Sequence, residues 1–273
     1  MGFESIINRV KSLPPLPHSV LKIEQLFAAG EPNIKDLVSV IEDDPILTAD
    51  ILAKVNVPLY SFSKNIVSVM QAVTLFGSHK IRGLVLSASV GRCFNIDMSP
   101  YGISNKVFSD ISTLQSALTF QWYMGVSVGI CNLILPVSFL METGKVLIAK
   151  ELVESAYVEQ FCQMIDENET IEETEELFTG TSTSWINALL FDNWNFSETF
   201  IMLMEYMDDD KPVPDSYIDM VQALRIVRTA VNIKEPLTDE SIKKAAKMVD
   251  EIGLDARKFM HTAKRIQLKY IEE

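Results

Sequence analysis

The stretch spanning residues 42–94 constrains the fold most, because residue type marks the ends of three short helices within it. Asp44 stands directly before Pro45, and proline suits the first position of a helix because no N–H is lost there. The Asp44 side chain can accept hydrogen bonds from the free N–H groups of the first turn. This helix must end near Asn56, since Pro58 disfavours helical geometry in the residue before it. The pattern predicts one short helix followed by a turn.

Two further helices follow in the same stretch. Ser68 predicts the N-terminus of the second helix, and Gly77 predicts its end. Ser78 then begins the third. Each helix has an apolar face at helical spacing: Val69, Ala72, Val73 and Phe76 in the second, and Ile81, Leu84, Val85 and Ala88 in the third. Three amphipathic helices in succession indicate a compact helical bundle.

Helical patterns also cover most of the remaining chain. Asn33 predicts a helix start in the N-terminal region, and Asp215, Thr238 and Asp255 predict helix starts in the last third. No stretch alternates apolar and polar residues for long enough to indicate a strand; residues 67–69 come nearest and are too few. The sequence therefore predicts an all-α fold.

The segment 120–141 is long and almost entirely apolar, which raises the question of a membrane span. A transmembrane helix needs about 20 apolar residues. This segment has Gln121 and Asn132 in its interior and Pro136 near its end, and no cluster of Lys or Arg flanks it. We therefore expect two consecutive helices, separated near Pro136 and buried in the centre of a helical domain, and no membrane span.

Several turn residues and apolar positions resemble the HDOD family, whose name means HD-related output domain. The resemblance runs from about residue 13 to residue 94, in the family's order and spacing. Its signature positions are Pro17, Asp44, Pro45, Asn56, Pro58, Tyr60 and Gly77. HDOD domains are bacterial signalling relatives of the HD metal-dependent phosphohydrolases. The resemblance implies an HD-domain-like helical bundle with a preceding N-terminal helical bundle.

The resemblance also implies a division of the chain into two parts. We expect an N-terminal helical HDOD subdomain over residues 1–95 and a degenerate C-terminal HD-like subdomain over residues 96–273. No flexible linker separates the two. We therefore expect them to share a core, so that they can equally be counted as one domain.

The metal ligands of the HD phosphohydrolases are not retained at the matching positions. Those enzymes use several histidines and an adjacent His-Asp pair, a donor set that suits a hydrolytic metal centre. In this chain an early ligand position corresponds to Ser112, the His-Asp pair to Met141 and Glu142, and a later histidine to Thr183. The resemblance therefore implies a vacated metal pocket at these four residues, which is a candidate crevice for a small ligand.

The remaining positions of the HD pattern depart from it as well. Trp194 matches a tryptophan of the family, but the final paired histidines correspond to Met204 and Glu205. We interpret the three histidines of the chain as surface or boundary residues: His18, His79 and His261. The expectation is an HD scaffold without a metal site, without another cofactor and without hydrolase activity.

Other catalytic signatures do not match this sequence. Gly144-Lys145 lacks the first glycine and the hydroxyl residue of a phosphate-binding loop. Cys93 and Cys162 have no histidine nearby in the sequence to activate a thiol. We therefore expect no nucleophilic or phosphate-loop catalysis.

The charge distribution limits the choice of partner. The net charge is −13, which opposes binding to nucleic-acid phosphates. The acidic run over residues 166–176 is expected to be a solvated face, and the three aspartates at 208–210 to be a loop whose side chains do not converge on a cation. The last helix is locally basic through Arg257, Lys258, Lys264, Arg265 and Lys269.

Residues 69–90 also have the outline of a helix-turn-helix DNA reader. Lys80 and Arg82, near the start of the second helix, provide a modest basic face. The same helix is otherwise mostly apolar, and such outlines are common in ordinary bundles. Binding to nucleic acid is therefore a hypothesis that the charge balance disfavours.

The leading functional hypothesis is a non-catalytic signal-transduction or regulatory module that acts by binding a protein or a ligand. The HDOD resemblance implies a protein partner in a bacterial signalling pathway. A metal-dependent HD-type phosphohydrolase is the alternative, and a DNA-binding regulator is the second alternative. Three widely separated cysteines fit a reducing cytoplasm. The sequence leaves the oligomeric state open.

Overall fold

The computed structural model describes residues 2–60, 65–94, 96–167, 170–208 and 211–271. Across these ranges the secondary structure consists of α-helices and two short 3-10 turns, with one isolated bridge between Val231 and Pro236. The all-α prediction is confirmed.

Within its described residues, the N-terminal third contains six α-helices and one 3-10 turn. Their bounds are α1 Phe3–Lys11, α2 His18–Ala28, α3 Ile34–Glu42, α4 Pro45–Val55, the turn Pro58–Tyr60, α5 Val69–Phe76 and α6 Ser78–Arg92. Asp44 caps α4 by accepting a hydrogen bond from the Leu47 N–H at 3.0 Å. Ser68 caps α5 in the same way, and Asn33 caps α3. The helix starts predicted here from capping residues are confirmed.

The rest of the chain adds ten helices and a second 3-10 turn within the described ranges. Their bounds are the turn Ser99–Tyr101, α7 Asn105–Tyr123, α8 Val128–Ser138, α9 Gly144–Glu154, α10 Val158–Glu167, α11 Ile171–Thr179, α12 Thr183–Asn193, α13 Glu198–Glu205, α14 Ile218–Ala230, α15 Asp239–Glu251 and α16 Ala256–Ile271. Thr238 caps α15 and the Asp255 side chain accepts from the Lys258 N–H, as predicted.

The segment 120–141 is interrupted at two places. Helix α8 ends at Ser138, two residues after Pro136, which itself lies inside the helix. A further break, which the sequence did not predict, separates α7 from α8 at residues 124–127. Ser127 determines this position because its hydroxyl accepts from the Ile130 N–H at 3.3 Å and so caps α8. No helix within the described ranges has both the length and the apolar character that a bilayer crossing requires.

The predicted role of Asp215 is wrong. Tyr217, not Asp215, occupies the N-cap position of α14. A turn precedes this helix, in which the Tyr217 N–H donates to the Pro214 carbonyl at 2.9 Å. Asp215 lies within that turn, so its side chain is two residues too early to cap the helix.

Helices α6 and α8 pack closely at a glycine. A Cβ atom on Gly83 would lie 2.6 Å from the Phe139 ring and 2.9 Å from the Pro136 Cα. Only glycine permits this approach without a shift of the neighbours. One continuous cluster of buried apolar residues extends from Ile6 to Ile266. The division of the chain at residue 95 stays a prediction.

Candidate functional site

The structure places Glu142 and Thr183, two of the four residues predicted for the vacated pocket, around the side chain of Lys145. The Lys145 ammonium nitrogen lies 2.8 Å from Glu175 Oε1, 3.1 Å from Thr183 Oγ1 and 3.3 Å from Glu142 Oε2. The residue is only 2% exposed. We call Lys145, Glu142, Glu175 and Thr183 the buried charge cluster. A buried ammonium requires such compensation by carboxylates and hydrogen bonds.

Glu175 is the most fully hydrogen-bonded member of the cluster. Its Oε1 atom accepts from Lys145, from the Tyr101 hydroxyl at 2.9 Å and from Thr183 Oγ1 at 2.8 Å. Its Oε2 atom accepts from the Thr183 backbone N–H at 2.8 Å. An ionised carboxylate can only accept hydrogen bonds, and all four of these partner groups donate one. The arrangement therefore suits a charged Glu175.

Glu142 is held from the opposite side by Gln115. The Gln115 amide nitrogen donates to Glu142 Oε1 at 2.8 Å and to the Val231 carbonyl at 3.0 Å. Gln115 is completely buried in α7. Helix α7 therefore fixes one carboxylate of the cluster, while α9 supplies the lysine and α11 supplies the second carboxylate.

A glycine brings α9 and α12 close enough to form the cluster. A Cβ atom on Gly144 would lie 2.5 Å from the Thr183 carbonyl oxygen, so this position has no room for a side chain. The Gly144 N–H donates to Asn187 Oδ1 at 2.7 Å, and the Asn187 amide donates to the Met141 carbonyl at 2.6 Å. These bonds connect the first turn of α9 to α12 and position Lys145 beside Thr183.

The electrostatics of the cluster favour a charged lysine. Burial acts to lower the pKa of Lys145, but the charges of Glu175 and Glu142 outweigh it and raise that pKa above its ordinary value. Burial raises the pKa of Glu175, and Lys145 opposes this change. Lys145 lies in the first turn of α9, where the helix dipole disfavours a cation, so the two carboxylates also offset that cost.

A second set of charges lies next to the cluster. Arg228 on α14 approaches Glu172 at 3.7 Å and Asp208 at 3.4 Å, and its own pKa is raised because these carboxylates outweigh burial. Asp208 accepts from Ser182 Oγ at 2.6 Å and from Ser184 Oγ at 2.7 Å. Asp208 is therefore engaged within the protein; the other two aspartates of the predicted loop lie outside the described residues.

The prediction that residues 166–176 form a solvated acidic face is wrong at Glu175, which is fully buried in the cluster. A local signal exists in hindsight. Glu175 shares a helix face with the partly buried Ile171 and Phe178, at positions i, i+4 and i+7. This spacing was overlooked because the run contains so many acidic residues that all of it was interpreted as solvent-exposed.

The signature positions of the N-terminal third stabilise turns. Asn56 donates to the Ile66 carbonyl and accepts from the Ile66 N–H, both at 2.8 Å, and so joins the end of α4 to the segment before α5. Asp44 also accepts from Ser19 Oγ at 2.7 Å. Pro17 occupies the N-cap position of α2, and Gly77 has φ = +81°, which favours glycine.

A comparison with protein families decides the family of this chain. The model of the HDOD domain matches residues 13–209. The chain belongs to the HDOD family. The match extends well beyond the N-terminal residues that carry the sequence resemblance, and it includes Glu142, Lys145, Glu175 and Thr183 of the buried charge cluster.

Solved structures share the fold of this HDOD chain. A proposed phosphohydrolase from Shewanella amazonensis superposes with a TM-score of 0.73 at 16% identity, covering 97% of this chain and 95% of that one. An HDOD domain protein of unknown function from Geobacter sulfurreducens gives 0.69 at 17% identity, covering 98% and 94%. A proposed signal transduction protein from Marinobacter aquaeolei gives 0.72 at 20% identity, covering 97% and 62%.

A curated relative matches over a short region. An uncharacterized protein of Treponema pallidum is 28% identical over 88 residues, which make up 32% of this chain. The matched region spans 17% of the Treponema protein's length. This relative adds no information about activity.

The metal centre of the HD phosphohydrolases does not fit this HDOD chain. Within the described ranges, no group of three or more His, Cys, Asp and Glu side chains is arranged to hold a metal ion. Glu142 and Thr183, at two of the expected ligand positions, instead contact the Lys145 ammonium. A cation placed between Glu142 and Glu175 would meet this ammonium, which repels it.

The other positions expected for metal ligands are dispersed in the HDOD fold. Met141 and Met204 are buried in the apolar core. Glu205 pairs with Lys211 at 3.2 Å on the surface, away from Lys145. Trp194 donates through its indole N–H to the Pro14 carbonyl at 3.2 Å and so connects α12 to the proline-rich segment.

The three histidines lie at the surface or the boundary, as predicted. His18 and His261 are exposed. His79 is half-buried, and its Nε2 atom lies 2.7 Å from a Glu31 carboxylate oxygen.

Ser112 lines a separate cavity between the two predicted subdomains of the HDOD chain. The cavity has a volume of about 280 Å³ and lies between α4, α6, α7, α9 and the segment that follows α8, and its apolar lining includes Phe108 and Phe139. At its mouth, Arg92 Nε lies 3.6 Å from Asp50 Oδ2, and burial lowers the pKa of the nearby Lys54. No member of the buried charge cluster is among the residues that line the crevice at Ser112.

The basic face needed for a DNA reader does not form at Lys80 and Arg82, because both side chains are buried. Arg82 pairs with Glu24, its Nε atom lying 2.8 Å from Glu24 Oε1. The Lys80 ammonium lies over three aromatic rings. Neither cation is available to a groove of DNA.

Proposed function

We propose that this HDOD protein is a non-catalytic regulatory module of bacterial signal transduction that acts by binding. The observation that supports the proposal is the Lys145 ammonium, which lies between Glu142, Glu175 and Thr183. The sequence resemblance assigns Glu142 and Thr183 to metal-ligand positions of the HD hydrolases. The internal cation supplies the positive charge that the two carboxylates require. A metal is then not needed for folding and is repelled if it approaches.

The signalling part of the proposal is supported by the family and by one structural neighbour. The Marinobacter protein of the same fold is named for signal transduction. A scaffold without a reaction of its own can act through a shape that a ligand or partner recognises. The cavity lined by Ser112 has lining residues from both predicted subdomains. A small ligand bound there would contact both subdomains and could change how they pack against each other.

The absence of catalysis is tested by hydrolysis assays with the purified full chain. The substrates are p-nitrophenyl phosphate and bis-p-nitrophenyl phosphate, each with added Mn²⁺, Fe²⁺ or Zn²⁺. We expect no turnover above the metal-only blank. Turnover that is lost in Glu142→Gln would instead support the phosphohydrolase alternative, which is the reaction class proposed for the Shewanella neighbour.

The partner is sought by affinity capture from native lysate of the bacterium and then verified with purified components. We expect a protein of the cytoplasm that binds with a defined stoichiometry. Capture that cannot be reproduced with purified proteins would count against a protein partner. The same purified sample gives the oligomeric state by light scattering.

A further inference from the structure

We propose that the cavity next to Lys80 binds the phosphate group of a small anionic ligand. The cavity has a volume of about 290 Å³ and lies between the Pro58–Tyr60 turn, α5, α6, α7 and α16. Lys80, Arg265 and Lys269 line it, and its described lining includes no carboxylate. In a chain with a net charge of −13, three cations that line one cavity, with no carboxylate among its described lining residues, form an unusual local environment.

The buried member of this set is Lys80, and it lacks an anionic partner. Its ammonium nitrogen lies 4.0 Å from the ring centre of Tyr60, 4.5 Å from that of Phe120 and 4.7 Å from that of Phe76. The residue is 3% exposed, and no carboxylate of the described residues contributes to its electrostatics. The three ring faces offset part of the desolvation cost, but they supply no full negative charge to a residue that lines the cavity.

Tyr60 provides a second, independent observation. Its hydroxyl is buried and has no hydrogen-bond partner in the described structure. A buried hydroxyl without a partner is costly and calls for a ligand or an ordered water. Since Tyr60 lines the same cavity as Lys80, one bound oxyanion can accept from the hydroxyl and from the ammonium together.

Helix α16 supplies the outer cations. Arg265 is exposed and is oriented by a hydrogen bond from its Nη2 atom to Gln121 Oε1 at 2.7 Å. Lys269 lies one turn further along the same helix, at i+4. The locally basic end noted in the sequence thus faces the cavity through two of its residues. Planar guanidinium and flexible ammonium groups are the side chains that recognise phosphate.

The size of the cavity limits the ligand to a small molecule. Ligand pockets in proteins range from about 300 to 1,000 Å³, so this one is at the lower end. Free phosphate and a small phosphate ester share the chemistry that the three cations recognise.

The charge state of Lys80 is consistent with this site. Burial lowers the pKa of Lys80 to about 7. The titratable groups that face it are Tyr60, Cys131, Arg265 and Lys269. Burial raises the pKa of Tyr60 and raises that of Cys131 to about 12, so both stay neutral near pH 7. A bound anion would favour the charged form of Lys80, so the lysine would take up a proton when the anion binds.

Calorimetric titration of the full chain tests the proposal, with inorganic phosphate, ribose 5-phosphate and adenosine 5′-monophosphate as probes. We expect saturable binding that Lys80→Met weakens by at least about tenfold, and that Lys269→Gln weakens by a smaller factor. Lys247→Gln, an exposed lysine on α15 that does not line the cavity, serves as the matched control and is expected to leave binding unchanged. Tighter binding of an ester identifies an organic phosphate, and equal binding identifies free phosphate.

Sulfate provides the pH test, because its charge is constant near neutrality. Its affinity should fall as pH rises from 6 to 8, by at most about tenfold per pH unit, and this dependence should disappear in Lys80→Met. Absence of saturable binding by all these probes would overturn the proposal. The proposal would also be overturned if Lys80→Met and Lys269→Gln both bind the probes as tightly as wild type does. Melting curves must first show that both variants are folded.

Discussion

Two lysines in this protein are buried to nearly the same degree but in opposite electrostatic environments. Lys145 is 2% exposed and contacts two carboxylates and a hydroxyl; burial acts to lower its pKa, but the carboxylates outweigh burial and raise it. Lys80 is 3% exposed and contacts three aromatic rings, and burial lowers its pKa to about 7. Burial is similar at the two sites, so the neighbouring groups decide whether the charge is stabilised.

The comparison separates two uses of a buried cation in one scaffold. At Lys145 two carboxylates of the protein compensate the ammonium, so this cation needs no external anion. At Lys80 the aromatic rings offset part of the cost, and an external anion can offset more. The first environment favours a fixed structural centre, and the second favours a binding site. The predictions below test this difference.

The largest effect is expected for Lys145→Met, because Glu142 and Glu175 would lose their common counter-charge in the interior. Removal of one partner from a buried ion pair costs about 3–5 kcal/mol. Urea denaturation should show this loss in the free energy of unfolding. Lys150→Met, an exposed position on the same helix, is the matched control and should change it by less than about 0.5 kcal/mol.

A compensating variant sharpens the same test. In Lys145→Met combined with Glu142→Gln and Glu175→Gln, no charge remains in the cluster, so most of the lost stability should return. If the triple variant is no more stable than Lys145→Met alone, the loss comes from packing and not from unpaired charge.

The next effect is a pH dependence of stability at Lys80. The folded pKa of about 7 lies below the unfolded value, so above pH 7 the unfolded state binds the extra proton. The Lys80 contribution to the free energy of unfolding should therefore rise with pH, by up to about 1.4 kcal/mol per unit between pH 7 and 9. The comparison is made with Lys80→Met, which lacks this group.

The Lys145 contribution should stay flat over the same pH range. Its folded pKa is raised, so the stability it provides is fully present below the unfolded pKa and is lost only as pH rises toward the folded value. Denaturation of wild type and Lys80→Met at pH 7, 8 and 9 gives the difference between their free energies of unfolding at each pH. Parallel curves for the two proteins would contradict the assigned environment of Lys80.

A smaller effect is expected when the cluster is disturbed without removal of a charge. In Gly144→Ala the new Cβ would lie 2.5 Å from the Thr183 carbonyl oxygen and force α9 away from α12. Overpacking of this kind costs about 1–3 kcal/mol. Gly129→Ala on α8, where a Cβ meets nothing within 4 Å, is the control and should be neutral or stabilising. Equal stability of the two variants would show that α9 can move freely.

The smallest effect should come from a position remote from both lysines. Asp44→Ala removes the cap of α4 and the hydrogen bond from Ser19. Loss of an N-cap costs about 1 kcal/mol. A loss as large as that of Lys145→Met would mean that the N-terminal turns, and not the buried charge cluster, dominate stability.

The sequence predicted the structure well where neighbouring residues decide the outcome. Asp44, Ser68 and Thr238 cap helices as expected, because a cap involves only residues two or three positions away. The prediction that Asp215 caps a helix was wrong, because a turn that begins at Pro214 precedes the helix. The break near Pro136 comes two residues after the proline, where α8 ends, but the break at residues 124–127 was not predicted, because the Ser127 cap starts α8 there.

The candidate site could be predicted only in part. The family pattern identified Glu142 and Thr183, which do meet in space around Lys145. It did not identify Lys145 or Glu175, because their pairing joins α9 to α11 and depends on tertiary packing. One signal was available for the lysine: Glu142 and Lys145 are an i, i+3 pair of opposite charge in an otherwise apolar segment.

The metal content of the purified full chain tests the central claim most directly. The protein is produced in medium supplemented with manganese, iron and zinc, and the bound metal is measured by plasma mass spectrometry after gel filtration. Because the Lys145 ammonium supplies the positive charge between Glu142 and Glu175, we predict far less than one metal ion per chain. One tightly bound ion per chain, lost in Glu142→Gln, would contradict the account.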